Sequence, residues 1–165
     1  MTDRVSPPAP PDAPGPAGGV LVIGYGNSLR GDDGIGPRVA QLAAADPRIA
    51  GAAVLAVHQL TPELALDISA ARLVVLVDAT TDVAPGAVVV HQVDPDGGAD
   101  GGATSHHVGP GVLLALARDL YGTAPETHVV SVGVAAMETG EGLSAKVAAA
   151  ATEAVEAVVG LVARR

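Results

Sequence analysis

The chain has 165 residues, the length of one ordinary domain, and folding at that size buries about two-thirds of the unfolded surface. Hydrophobic residues make up 48% of it, yet there are two Tyr, no Phe and no Trp, so 32 Ala and 25 Val supply most of the apolar volume. Zero Cys excludes disulfide frameworks, thiolate zinc sites and cysteine nucleophiles, the lack of aromatics argues against base-stacking platforms, and a formal charge of -9 disfavours nucleic-acid backbone binding.

Residues 1–18 hold Pro7, Pro8, Pro10, Pro11, Pro14 and Pro16 among small residues and read as a disordered or polyproline-like tail with no catalytic part. Neither a signal peptide nor a membrane-spanning run is read here, so a cytoplasmic location is the expectation. Residues 19–165 read as one domain. Val20 to Ile23 is a short all-aliphatic run with β-branched bias, the pattern of a strand buried on both faces, and it stops at Gly24. A helix is predicted from Ile35 to Ala45, with Pro37 in its first turn where a missing N–H does no harm. Ala53 to Val57 is a second strand. Thr61-Pro62-Glu63 reads as a helix start with Thr61 as cap, which places a helix over Pro62 to Ala70. Leu73 to Val77 is the most strand-like run, and it ends at Asp78.

Ala87 to Val90 is a further strand, followed by a Gly/Asp-rich loop from Val93 to Thr104. Helical spacing of Val112, Leu113, Leu116 and Leu120 predicts a helix over Gly109 to Leu120, and Val129 to Val134 is the last strand. Ser144 is expected to cap a closing helix that runs to about Val162. Short strands separated by helical segments are most simply paired in parallel through right-handed crossovers. The fold class expected is α/β, a single three-layer α/β/α sandwich with a mostly parallel sheet of about five strands.

Ligands of an open parallel sheet bind outside the carboxyl ends of its strands, which selects polar residues in the loops there. Asp32 and Asp33 follow the first strand, Asp78 ends the third, and His106 and His107 precede the helix after the long loop. The loop from Gly24 to Gly36 is glycine-rich, but a dinucleotide fingerprint fails because position 29 is Leu, and no Walker Lys-Ser/Thr follows. Two acids at the helix mouth repel a phosphate and attract a cation. Two carboxylates and an imidazole make a hard-to-borderline metal site with open positions. The plainer reading stands beside it: Asp33 as a helix cap, Asp78 in a turn, His106 on the surface. No H-E-x-x-H and no G-x-S-x-G is present. His58, His91 and His128 read as structural or exposed, and Glu138 and Glu141 as solvated loop acids.

The stretch Val20 to Ala40, VLVIGYGNSLRGDDGIGPRVA, resembles the opening signature of the nickel-iron hydrogenase maturation proteases. The resemblance continues through His58 to Leu64, Leu76 to Ala79, Ser105 to Gly109, Val132-Gly133 and Gly140 to Ser144, in the expected order. It implies an endopeptidase that removes the C-terminal extension of a hydrogenase large-subunit precursor after nickel insertion. The ligand set it implies falls on Asp33, Asp78 and His106, which are also the best candidates for the unassigned catalytic group. Gly24, Gly26, Asn27, Asp32 and His107 are the implied substrate contacts. Some relatives carry Glu where this chain has Asp33, which draws the ligand back by about one methylene. The nickel is implied to be that of the precursor, with other divalent metals able to substitute in the isolated protein. The implied partner is the nickel-loaded precursor, with no nucleic acid, no membrane and a monomeric state. A non-cleaving metal-dependent chaperone or escort of the same precursor is the alternative, and a nucleotide-binding α/β domain a third.

Overall fold

The computed structural model describes residues 18–96, 108–135, 140 and 142–164. The tail before Gly18, most of the Gly/Asp-rich loop, His106, His107, Glu138 and Glu141 lie outside the described residues. Five strands, β1 (Val20–Tyr25), β2 (Ala53–Val57), β3 (Leu73–Thr80), β4 (Val88–Gln92) and β5 (Glu126–Gly133), form one sheet in the order β2-β1-β3-β5-β4. All neighbours are parallel except β4, which runs antiparallel beside β5. Among the described residues, four α-helices cover it: α1 (Ile35–Ala44), α2 (Leu64–Ala70), α3 (Pro110–Tyr121) and α4 (Ala145–Ala163).

Strand alternation divides the core into two. Val20 and Val22 of β1, Val75 and Val77 of β3, and Val130 and Val132 of β5 meet Ile35 and Val39 of α1 and Val147, Ala154 and Val158 of α4. The opposite residues, Leu21, Ile23, Val74, Leu76 and Val129, meet Ile68 of α2 and Leu113 and Leu114 of α3. The expected three-layer sandwich is therefore present, with both sheet faces covered. Each fully buried Val, Leu or Ile in these layers contributes about 1.5–3 kcal/mol, so aliphatics alone make a sufficient core.

At β3 and at the start of β5 the strands extend beyond the sequence expectation for one reason. Apolar runs mark the part of a strand sandwiched between helices, but the hydrogen-bond ladder continues past it. β3 runs on through Asp78 to Thr80, paired with Ser131 to Gly133, and β5 begins at Glu126 rather than Val129. Asp78 thus sits inside the ladder and not after it. At α2 the residues Thr61 to Glu63 form a turn, with the Leu64 N–H on the Thr61 carbonyl at 3.1 Å, and the helix starts only at Leu64.

Candidate functional site

β1 has β2 on one side and β3 on the other, so the chain leaves β1 and β3 at the point where the winding reverses, the usual place for a ligand crevice. Glycines bring the first loop tightly onto the sheet there. A Cβ on Gly36 would lie 2.2 Å from the Tyr25 carbonyl oxygen and 2.7 Å from that of Val77, and one on Gly24 would lie 2.1 Å from the Gly36 carbonyl oxygen. Gly26 has φ +147°, and a Cβ on it would lie 2.0 Å from the Asp33 carbonyl oxygen. Gly24 and Gly26, implied as substrate contacts, therefore admit the close approach of the chain to itself.

The two acids at the mouth of α1 serve different partners. Asp33 Oδ2 accepts the Asn27 N–H at 2.7 Å, and Asn27 Oδ1 accepts the Leu29 N–H at 2.9 Å, so both side chains brace the loop that carries them. Asp32 is 8% exposed, and its two oxygens accept the Ser144 N–H at 2.6 Å and the Ser144 hydroxyl at 2.9 Å. Ser144 stands at the N-cap position of α4 as expected, but its hydroxyl makes no capping bond to the helix and donates to Asp32 instead. Asp32, implied as a substrate contact, has its carboxylate committed to this latch. Gly140 adds a second tie: the Gly31 N–H donates to its carbonyl at 2.7 Å, and its N–H donates to the Leu29 carbonyl at 2.9 Å. Beside these ties opens a cavity of about 440 Å³, lined in part by Ser28, Gly34, Arg38, Gln41 and Leu143.

Asp78 stands one strand away. Ser131 is its register partner on β5, and Tyr25 closes β1 on the other side. The Ser131 hydroxyl donates to Asp78 Oδ1 at 2.6 Å and the Tyr25 hydroxyl to Oδ2 at 2.9 Å. Burial pushes the Asp78 carboxyl above its ordinary value, the two hydroxyls and His91 of β4 pull the other way, and the negative charge of Asp33 adds to the rise. Asp33 thus lies close enough for its charge to act on Asp78. Each Asp78 oxygen keeps a lone pair beyond the one its hydroxyl partner uses, so the carboxylate can still ligate a cation. Two such carboxylates fit a hard-to-borderline ion. Among the described residues no three His, Asp or Glu gather into a metal-holding group, and His106 lies outside them.

Tyr25, Ser131 and His91 were not singled out from the sequence as part of this crevice. The available signals were a hydroxyl residue interrupting the apolar run of β5 and one of only two aromatic residues at the end of β1. His58 and His91 are exposed, and His128 lies 2.8 Å from the Glu126 carboxylate.

No protein-family model matches the chain, and a search of curated proteins gives no match either. Solved structures do match. The hydrogenase 2 maturation peptidase from a Thaumarchaeota archaeon is 26% identical, with a TM-score of 0.63 over 86% of this chain and 96% of that one. The [NiFe] hydrogenase maturation protease HycI from Thermococcus kodakarensis is 19% identical, with a TM-score of 0.73 over 88% of this chain and 92% of that one. The hydrogenase maturating endopeptidase HybD from E. coli is 22% identical, with a TM-score of 0.67 over 88% and 93%. Over 86–88% of its length, this chain shares its fold with solved hydrogenase maturation proteases.

Proposed function

We propose that this chain is an endopeptidase that removes the C-terminal extension of a nickel-iron hydrogenase large-subunit precursor, and that it reads the nickel already inserted in that precursor. The observation that supports this most is that the charge of Asp33, in the loop after β1, reaches the buried Asp78 of β3, on a fold shared with maturation proteases. In this reading Asp33 and Asp78 are anionic ligands and His106 a neutral imidazole donor, and the three leave coordination positions for the precursor's own ligands. The nickel belongs to the substrate, and when bound it would supply a Lewis acid beside the scissile peptide.

The chain's own contribution is placement. The Asn27 N–H aims Asp33 across the loop, the Asp32 latch fixes that loop against α4, and the hydroxyls of Tyr25 and Ser131 hold Asp78. Asp33 and Asp78 are a cation-attracting pair whose repulsion falls when a cation enters. A thiolate-free set of ligands also suits inspection, since it does not compete through tight soft-ligand binding for the ion it reads. No described helix is long and apolar enough to cross a membrane, and we place the protein in the cytoplasm as a monomer.

The test is the processing of a nickel-loaded precursor by Asp33→Ala, Asp78→Ala and His106→Ala, followed by mass spectrometry. Loss of cleavage in all three is expected. Parent-like cutting by all three removes the site assignment, and binding of precursor without any mass loss by the parent chain replaces the protease with a non-cleaving escort.

A further inference from the structure

The three central strands carry a row of polar side chains toward their carboxyl ends. Gly24 of β1 is the register partner of Val77 of β3, so Tyr25 stands level with Asp78, and Asp78 is in turn the partner of Ser131 on β5. Ser131 is 4% exposed in a stretch otherwise made of Val and Gly. Of the other buried polar residues described, Thr127 turns its hydroxyl to the Pro125 carbonyl just before its own strand and Asp32 is held by Ser144. Ser131 alone among these three spends its hydroxyl on the crevice acid, at 2.6 Å, and Tyr25 meets the other oxygen from the opposite side at 2.9 Å.

A carboxylate has two soft torsions, and rotation about them moves its oxygens by ångströms. One hydroxyl on each oxygen, from two rigid neighbouring strands, removes that freedom and leaves one lone pair per oxygen unused by these partners. We infer that Tyr25 and Ser131 are positioning residues, which hold the Asp78 carboxylate in the orientation that receives a divalent metal ion. This rests on the reading of Asp78 as a ligand for the nickel of the substrate. Partners of this kind, one bond removed from a metal, are typically worth about 10–100-fold in metal affinity.

The experiment is titration of the full chain with Ni²⁺ by calorimetry, alongside cleavage of nickel-loaded precursor. Tyr25→Phe removes one oxygen and adds nothing, Ser131→Ala removes the hydroxyl without adding a ligand, and Ser131→Thr restores the hydroxyl. Tyr25→Phe and Ser131→Ala are expected to weaken nickel binding by about tenfold or more, with Ser131→Thr within about threefold of the parent. A purely structural role would lower the melting temperature of the variants and leave nickel affinity alone. Nickel binding by Tyr25→Phe and Ser131→Ala within twofold of the parent, while Asp78→Ala abolishes it, overturns the positioning role and leaves the function standing. No nickel uptake by the parent, or uptake unchanged in Asp78→Ala, also overturns it. The cleavage arm then shows whether the protease reading survives, by whether the parent still shortens the precursor.

Discussion

The tie between Asp32 and Ser144 joins residues 112 positions apart and fastens the first loop to the start of α4, so its removal is expected to loosen both. Asp32→Ala deletes two hydrogen bonds to a carboxylate, each of a kind that contributes about 1.5–3 kcal/mol. Ser144 is exposed, so its freed N–H and hydroxyl regain water and the loss is discounted to about 2–3 kcal/mol in total. For a domain of this size that lowers the melting temperature by roughly 4–12 °C. Asp32→Asn keeps one acceptor for the Ser144 N–H and is expected to cost about half as much. Urea unfolding of Asp32→Ala, Ser144→Ala and the double variant, at equal m-values, separates the tie from other effects. The double variant should match Asp32→Ala closely, because the serine hydroxyl has nothing left to donate to once the acid is gone. Two losses that simply add, or an Asp32→Ala cost below about 0.5 kcal/mol, would refute the latch.

Gly36→Ala sets a Cβ 2.2 Å from one backbone carbonyl oxygen and 2.7 Å from another, neither able to swing aside, so the variant is expected to lose cooperative unfolding by circular dichroism. Asp78→Asn should be more stable than the parent near neutral pH. Its native carboxyl titrates above the ordinary 3.8, so the parent loses stability as pH rises from about 3.8 through the raised value, and the amide does not. Melting temperatures across that range should converge below pH 3.8 and separate above it, and the opposite order would show that burial does not dominate at Asp78. Arg48→Ala breaks the exposed Asp46–Arg48–Glu156 cluster, and its effect on melting should be small and fade at high salt.

The layered fold was legible because its determinants are local: aliphatic runs at Val20, Leu73 and Val129, helical spacing in α3 and α4, and Gly or Pro at the breaks. Asp33 and Asp78 were legible by topology, since strand-end residues of a parallel sheet share a crevice. What depended on register was not. Whether Asp78 ended β3 or stood within its ladder turned on hydrogen bonds to Ser131, more than fifty residues away, and no pattern near either residue records that pairing. The uses of Asp32 and Ser144 were hidden for the same reason. Each carries a strong local signal, an acid at a helix mouth and a serine before a helix, and a long-range bond between them overrides both. The glycines of the first loop were visible as a need for close approach, but what approached was the chain itself, at Gly36 and Asp33.

The central claim, that this chain trims a precursor by reading nickel in it, meets its most direct test in paired mass spectra. Purified protein is incubated with the same hydrogenase large-subunit precursor in nickel-loaded and nickel-free form. A mass loss equal to the C-terminal extension in the loaded sample alone is the predicted result. Equal cleavage of both forms would contradict the reading of nickel, and no cleavage of either would contradict the protease.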